Sequence, residues 1–149
     1  MLEKYFAEIY NKFKMGLYAK TFNQNIDVKE GLSAIEVICV ETIYAMGNPT
    51  INEFASFAQL SPPNAAYKIN SLVKKGYVKK VRSDKDKREY HLEVTEKYME
   101  NYGVTYDYIA TVMQRIRDRF SEKEVEQFEN YLKVIDEELM PEVNFINNK

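Results

Sequence analysis

The fold is decided by residues 61 to 88, which read Ser-Pro-Pro-Asn-Ala-Ala-Tyr-Lys-Ile-Asn-Ser-Leu-Val-Lys-Lys-Gly-Tyr-Val-Lys-Lys-Val-Arg-Ser-Asp-Lys-Asp-Lys-Arg. Ser61 is a good N-cap, and Pro62 suits the first helical position because its missing N–H would have no partner there. Gly76 ends the helix that this start predicts. A 3.6-residue period places Ala65, Ile69, Leu72 and Val73 on one face. The opposite, polar face consists of Asn64, Tyr67, Lys68, Ser71 and Lys75.

A β-hairpin is predicted directly after this helix. Residues 77–82 and 88–94 are β-prone runs on either side of the polar turn 83–87, and apolar and polar residues alternate in the second run. A second, shorter helix is predicted before residue 61, because Thr50-Ile51-Asn52-Glu53 has the spacing of a capping box. Two helices joined by a tight turn and followed by a hairpin predict a winged helix-turn-helix.

The charge distribution points to a polyanionic partner. Residues 61–88 hold nine of the 21 basic residues and only two acidic ones, Asp84 and Asp86. This segment therefore carries a net charge of +7, while the chain as a whole carries −2. A short basic surface in an acidic chain is the electrostatic pattern of a protein that contacts nucleic acid phosphates.

The rest of the chain is predicted to be helical, in a single domain that spans residues 1–149 and is mainly α with a small β-hairpin wing. Residues 33–95 form the winged helix-turn-helix. The helix that Ser33 opens is apolar nearly all round, which predicts burial between two layers. Thr95 is expected to cap one long connecting helix over 96–120. Terminal helices are predicted over 2–22 and 121–146, the last of them opened by Ser121-Glu122-Lys123-Glu124.

The terminal helices carry long apolar stripes that the winged unit does not obviously cover. A second copy of the chain would bury them, and the symmetric dimer is the commonest oligomer. An intramolecular helical bundle is the alternative. The residues expected at the dimer interface are Phe6, Ile9, Phe13, Phe128, Leu132 and Ile135.

The chain resembles the MarR family of bacterial winged helix-turn-helix transcriptional regulators. The resemblance lies in the order of the elements, in Gly76-Tyr77-Val78, and in Asp86-Lys87-Arg88 followed by Leu92-Glu93-Val94-Thr95. A single cysteine permits no intrachain disulfide, which fits a reducing cytoplasm. The resemblance implies a homodimer that binds a pseudo-palindromic operator, usually as a repressor released by a small molecule or by oxidation. It also implies that Arg88 enters the minor groove and that Asp86 helps to hold the wing. Ala66 and Tyr67 stand where many members have Thr and Arg, so the base sequence that is read cannot be transferred.

The predicted contacts with double-stranded DNA come from the helix and from the wing. Asn64 suits adenine, Lys68 suits guanine or phosphate, and Tyr67 suits a phosphate or a thymine methyl group. Each has an ordinary alternative: solvation for Asn64 and Lys68, packing against the wing for Tyr67, and an ion pair with Asp84 or Asp86 for Arg88. The predicted DNA-binding set is Ser61, Asn64, Tyr67, Lys68, Ser71, Lys75, Lys85, Asp86, Lys87 and Arg88.

An effector site is predicted from the supply of aromatic residues. A cleft between the terminal helices and the winged unit would take a small aromatic or amphipathic ligand. The alternative is that an aromatic stripe at helical spacing is core. The residues predicted to line the cleft are Tyr10, Tyr18, Tyr44, Tyr98 and Tyr102.

Other functions have less support in the sequence. Cys39 is either an oxidant sensor or an inert core thiol. The second is favoured because Cys39 lies mid-helix among Val37, Ile38 and Val40, with no basic neighbour expected to lower its pKa. One His and one Cys supply neither a metal site nor a catalytic pair, so neither an enzyme nor a cofactor is predicted. No apolar run approaches the ~18 residues of a membrane span, and no secretory signal is predicted. A winged protein-interaction module that binds no DNA is the main alternative function.

Overall fold

The computed structural model describes residues 1–23 and 31–143. It confirms a mainly helical chain with one two-stranded antiparallel hairpin. A short 3-10 turn over Pro141–Val143 follows the last helix. In chain order the elements are α1 (Leu2–Phe22), α2 (Ala34–Met46), α3 (Ile51–Phe57), α4 (Pro62–Lys74), β1 (Val78–Arg82), β2 (Tyr90–Val94), α5 (Glu96–Tyr102), α6 (Val104–Arg119) and α7 (Glu122–Glu138).

The chain forms two compact units, Met1–Val104 and Thr105–Lys149. The first unit contains the winged helix-turn-helix and one apolar core, because the buried faces of α2, α3 and α4 meet the hairpin and α5. Leu17 of α1 packs against the same core. The fully buried side chains include Val40, Ile43, Phe54, Ile69, Leu72, Tyr77, Leu92, Tyr98 and Tyr102.

The starts of the predicted helices are confirmed. Ser33 and Thr50 each accept a hydrogen bond from the backbone N–H three residues later, and Glu36 and Glu53 bond back to the two cap residues. Ser61 caps α4, with Pro62 at the first helical position. Gln59 adopts a left-handed conformation with φ of 53°, and this conformation makes the sharp turn between α3 and α4.

The wing is attached to the rest of the unit along β2. The two strands pair from Val78 with Val94 to Arg82 with Tyr90. The backbone N–H of Leu92 donates to Pro49 O at 2.8 Å, and His91 pairs with Thr50 in an isolated bridge. The connection between α2 and α3 therefore supports the hairpin on one side.

Three tyrosines form the centre of the core. The rings of Tyr98 and Tyr102 stack at 5.1 Å, and Tyr77 meets both of them edge-on. The hydroxyl of Tyr102 accepts the backbone N–H of Leu32 at 2.9 Å, and the hydroxyl of Tyr98 donates to Glu41. Each of these two buried phenols thus has a hydrogen-bond partner, as burial of a polar group requires.

The prediction of one long helix over 96–120 is wrong. The helix breaks at Gly103, so α5 ends at Tyr102 and α6 begins at Val104. Thr95 precedes α5 as predicted, but its hydroxyl donates to Gly76 O at 2.6 Å and does not cap the helix. The side chain therefore ties α5 to the turn after α4.

The prediction that α2 is buried on nearly all sides is also wrong. Val37, Cys39, Val40, Ile43 and Met46 are buried, as expected. Ile35, Ile38 and Tyr44 are exposed, because a single layer of elements covers the helix in this chain.

The second unit contains α7 and all of α6 except its first residue. The carboxylate of Glu124 accepts both the backbone N–H and the hydroxyl of Ser121, at 2.9 and 2.7 Å, which fixes the start of α7. No residue of α7, all of which is described, is buried. The helix ends at Glu138, earlier than predicted, and positions 144–146 of the predicted helix lie outside the described residues. None of the described helices is long and apolar enough to span a bilayer.

Candidate nucleic-acid interface

The outer face of α4, hereafter the recognition helix, presents polar side chains near its N-terminus. Asn64 is exposed, and Tyr67 is 78% exposed, which is unusual for a large aromatic side chain. Lys68 lies further round the helix and is half-buried. The hydroxyl of Ser61 accepts the Asn64 N–H at 3.4 Å, so Ser61 shapes the start of the helix. Packing of Tyr67 against the wing, one of the alternatives, does not agree with this exposure.

Two residues of the predicted DNA-binding face are directed into the protein. Ser71 Oγ donates to Glu36 Oε1 at 2.8 Å, and Lys75 Nζ lies 2.7 Å from Glu36 Oε2. Ser71 and Lys75 are therefore engaged within the protein, and their predicted contact with DNA stays a prediction. These bonds form because α2 packs beside the C-terminal half of the recognition helix, so this end of the polar stripe meets a carboxylate and not solvent.

The pKa of Glu36 reflects these contacts. Burial by itself raises the pKa of this carboxyl group. The hydrogen bonds from Lys75, the Ser33 backbone and Ser71, with the positive charge of Lys75, outweigh burial and hold the pKa below its ordinary value. Glu36 is therefore ionised at neutral pH.

Hydrogen bonds within the wing fix the shape of its turn. Ser83 Oγ accepts the backbone N–H groups of Lys85 and Asp86, each at 3.3 Å. Asp86 Oδ1 accepts the Arg88 N–H at 2.9 Å, which gives Asp86 the bracing role that the resemblance implies. Arg82 Nε donates to Lys87 O at 2.6 Å. The turn is thus closed by its own side chains.

The basic side chains of the wing divide into two groups. Lys79 pairs with Glu93 across the hairpin, and Lys80 Nζ donates to Asn70 Oδ1 at 2.7 Å, which links the wing to the recognition helix. Lys85, Lys87 and Arg88 are exposed at the turn. Within the part of the chain that the structure describes, Arg88 makes no ion pair with Asp84 or Asp86. Its positive charge is therefore presented to solvent.

The residues predicted for an effector cleft have two different environments. Tyr98 and Tyr102 are fully buried in the core. This burial agrees with the alternative interpretation, in which the aromatic residues pack in the core. Tyr10, Tyr18 and Tyr44 are exposed. The cleft itself stays a prediction.

Cys39 lies on α2 and is buried in the core of the first unit. Burial raises the pKa of its thiol, and the negative charge of Glu36 adds to this effect. Lys68 lowers the pKa, so Cys39 does have a basic neighbour in space, contrary to the interpretation from the sequence. Burial is the larger effect, and a raised pKa is typical of an unreactive thiol.

The residues predicted for dimerisation lie mainly at the surface of their helices. Phe6 and Ile9 of α1 are more than half exposed, and Phe13 is half-buried. On α7, Phe128 and Leu132 are exposed and Ile135 is half-buried. Each of the two helices therefore has an apolar stripe in contact with solvent.

The sequence interpretation missed the partners of the basic residues. Glu36, Asn70 and Lys97 were not singled out, although each holds an end of the recognition helix or the wing. Glu36 stands at the fourth position of a capping box that begins at Ser33, which is a local signal. Its partner Lys75 is 39 residues away along the chain, and one sequence contains no signal for such a pair. The described residues bring together no three His, Cys, Asp or Glu side chains that could hold a metal ion.

These elements define a winged helix-turn-helix protein: a bracing helix, a capped recognition helix and a basic two-stranded wing. Residues 32–90 match the model of the MarR family. The resemblance drawn from the sequence is thereby confirmed. The match supports a DNA-binding transcriptional regulator.

Solved structures of low sequence identity have the same fold. A mutant of MepR from a multidrug resistant S. aureus clinical isolate is 16% identical, with 91% of this chain and 94% of that chain covered and a TM-score of 0.60. A MarR family protein from Bacillus stearothermophilus is 17% identical, with 93% of this chain and 92% of that chain covered and a TM-score of 0.58. Streptococcus pneumoniae FabT in complex with DNA is 21% identical, with 90% of this chain and 92% of that chain covered and a TM-score of 0.54. The comparison with curated proteins gave no match.

Proposed function

We propose that this protein is a homodimeric repressor that binds a pseudo-palindromic operator in double-stranded DNA in the bacterial cytoplasm and is released by a small effector. The observation that carries the proposal is the surface formed by the outer face of the recognition helix and the wing turn. Asn64 and Tyr67 are exposed on the helix, and Lys85, Lys87 and Arg88 are exposed at the turn. Donors and positive charges in this arrangement suit a major groove and an adjacent minor groove.

The wing supports a specific mode of contact. Asp86 fixes the backbone at Arg88, so the position from which the guanidinium extends is set before DNA arrives. A fixed starting position reduces the conformational entropy that binding must offset. A narrow A·T-rich minor groove attracts arginine strongly, and we assign this contact to Arg88.

The apolar stripes on α1 and α7 support a dimer. Exposed side chains such as Phe6, Ile9, Phe128 and Leu132 lose contact with water when a second copy covers them. A two-fold dimer presents two recognition helices to half-sites about 34 Å apart. An inverted repeat with that spacing is therefore the operator that we expect.

Release by an effector is the least direct part of the proposal. A ligand that changes the separation of the two recognition helices would disfavour simultaneous contact with both half-sites. A coupling of ~1–3 kcal/mol is an ordinary size for such an effect. Aromatic or amphipathic acids are the class of ligand that exposed tyrosines such as Tyr10, Tyr18 and Tyr44 would suit. Oxidation of Cys39 is the competing mechanism, and the raised pKa of the buried thiol argues against it.

Selection of bound fragments from random double-stranded DNA tests the proposal. We expect an inverted repeat to be enriched. Inserting about half a helical turn, ~5 base pairs, between its half-sites should abolish tight binding, because the half-sites then lie on opposite faces of the duplex. No enrichment of any sequence would favour the alternative, a winged protein-interaction module.

A further inference from the structure

A single carboxylate joins α2 to the C-terminal half of the recognition helix. Glu36 Oε1 accepts Ser71 Oγ at 2.8 Å, and Lys75 Nζ donates to Oε1 and Oε2 at 2.9 and 2.7 Å. Oε2 also accepts the Ser33 N–H at 2.9 Å, which holds the carboxylate at the start of α2. We call Glu36, Ser71 and Lys75 the Glu36 clamp.

The surroundings of Lys75 leave it little capacity for another partner. An ammonium group has three N–H donors. Three acceptor atoms lie around Nζ of Lys75: the two carboxylate oxygens of Glu36 and Gly31 O at 3.1 Å. The side chain is 24% exposed, and that of Glu36 is 16% exposed. A phosphate contact would therefore require Lys75 to give up bonds that it already makes.

The same end of the recognition helix is held from α5. Lys97 Nζ donates to the backbone carbonyl of Lys75 at 2.8 Å and lies 4.9 Å from the centre of the Tyr77 ring. A cation at this position satisfies a terminal carbonyl group and interacts favourably with the negative end of the helix dipole. Contacts from both α2 and α5 thus fix where the recognition helix ends.

We propose that the Glu36 clamp is a positioning site, which sets the angle at which the recognition helix enters the DNA groove. Lys75 then supports DNA binding through the position of the helix and not through a phosphate. Glu36 supports it although it is an acidic residue beside a DNA-binding surface. This inference rests on the proposed function, because it describes how the same surface is held.

Electrostatics and positioning predict opposite results for Glu36. Glu36→Gln removes a negative charge near DNA phosphates, so a purely electrostatic effect would tighten binding. If the clamp positions the helix, the same substitution weakens binding, because fewer molecules hold the helix in the binding-competent position. The sign of the change therefore separates the two accounts.

The experiment measures the affinity for the selected operator over a series of salt concentrations. We expect Glu36→Gln and Lys75→Met each to weaken binding about tenfold. The double variant should bind little worse than either single variant, because each of the three variants lacks the ion pair between Glu36 and Lys75. The slope of log affinity against log salt should stay that of the parent, since no phosphate contact is lost. Lys75→Arg, which keeps the charge, should bind nearly as the parent does.

Lys74→Met is the matched control, because Lys74 is the adjacent residue and is exposed. Loss of a phosphate contact at Lys74 would reduce the salt slope by about 0.9. The inference is overturned if Lys75→Met reduces the salt slope as a phosphate contact would, or if Glu36→Gln tightens binding.

Amide hydrogen exchange tests the clamp without DNA. Glu36→Gln should speed exchange at residues 71–77 more than in α3, whose start is held by its own capping box. Uniform or unchanged exchange would contradict the inference. If the parent selects no DNA, the proposed function fails, and the exchange result still decides whether the clamp holds the helix.

Discussion

Asp86 and Arg88 contribute differently to the wing although they are two residues apart. Asp86 bonds the backbone of Arg88 and shapes the turn, while the guanidinium of Arg88 extends into solvent. The wing turn contributes little to the core, so Arg88 can be replaced without loss of the fold. Its contribution to DNA affinity can therefore be measured separately from its contribution to stability.

Arg88→Ala should weaken operator binding by about 1–3 kcal/mol, because one arginine contact in the groove is lost. The unfolding midpoint should not change. A fluorescence anisotropy titration at fixed salt measures the affinity, and Arg117→Ala, which removes an exposed arginine of α6, is the control. Equal affinity for parent and Arg88→Ala would refute the minor-groove assignment.

Glu36 makes stability depend on pH in a predictable direction. Its pKa is lowered in the folded protein, so the folded state binds fewer protons than the unfolded chain around that pKa. The clamp therefore contributes stability above the ordinary glutamate pKa of about 4.3, and this contribution is lost as the pH falls through the lowered value.

Thermal unfolding of the parent and of Glu36→Gln over the acid pH range checks this expectation. The parent should be more stable near neutral pH, and the difference should shrink as the solution is acidified. A difference that stays constant down to the acid limit would mean that Glu36 does not gain stability from its ionised form.

Among the secondary-structure elements, the break between α5 and α6 lies at a glycine that leaves no room for a side chain. A β-carbon built on Gly103 would clash with Met99 O, so a side chain there requires the backbone to shift. Gly16 in α1 has no atom within 4 Å of the same built position. Replacement by alanine therefore meets a steric clash at Gly103 and open space at Gly16.

Gly103→Ala should lower the free energy of unfolding by more than ~1 kcal/mol, because the backbone around Met99 must shift to admit a methyl group. Gly16→Ala should raise it by about 0.4–1 kcal/mol, because alanine restricts the unfolded chain and favours helix. Urea unfolding of both variants gives the comparison. Equal effects of the two substitutions would contradict a steric requirement for glycine at position 103.

The sequence predicted the elements whose signals are local. Capping residues at Ser33, Thr50 and Ser61 marked helix starts, and the change of period after Gly76 marked the hairpin. The break at Gly103 was missed because the apolar period continues across it, and one glycine within a helical pattern is common. Local patterns thus gave most of the winged unit.

The candidate site was predicted less completely than the fold, because it depends on contacts between distant residues. A helical period placed Ser71 and Lys75 on one stripe with Asn64 and Tyr67. It carries no information about which neighbour covers each end of that stripe. Only the packing of α2 shows that Glu36 meets Ser71 and Lys75.

For the whole molecule, a single copy of the chain leaves the apolar stripes of the terminal helices exposed to water, which is unfavourable. Leu2, Phe6 and Ile9 of α1 and Leu132 of α7 are exposed to water. Burial of apolar area stabilises association by roughly 25 cal/mol per Å² before the entropic cost of binding is subtracted. A second copy is the partner that we propose for these surfaces.

Leu132→Asp should therefore dissociate or unfold the protein, because a carboxylate in an apolar contact must lose its water or break the contact. Lys133→Asp places the same carboxylate on the neighbouring exposed position and should leave the dimer intact. Light scattering measures the mass of each. A stable, folded monomer for the parent would contradict the dimer.

The salt dependence of binding to the selected DNA tests the central proposal most directly. If the recognition helix and the wing contact phosphates, log affinity should fall linearly with log salt, with a slope of about −0.9 for each phosphate contact. Several contacts predict a steep fall. An affinity that hardly changes with salt would contradict binding through this basic surface and would favour an interaction made by the apolar stripes.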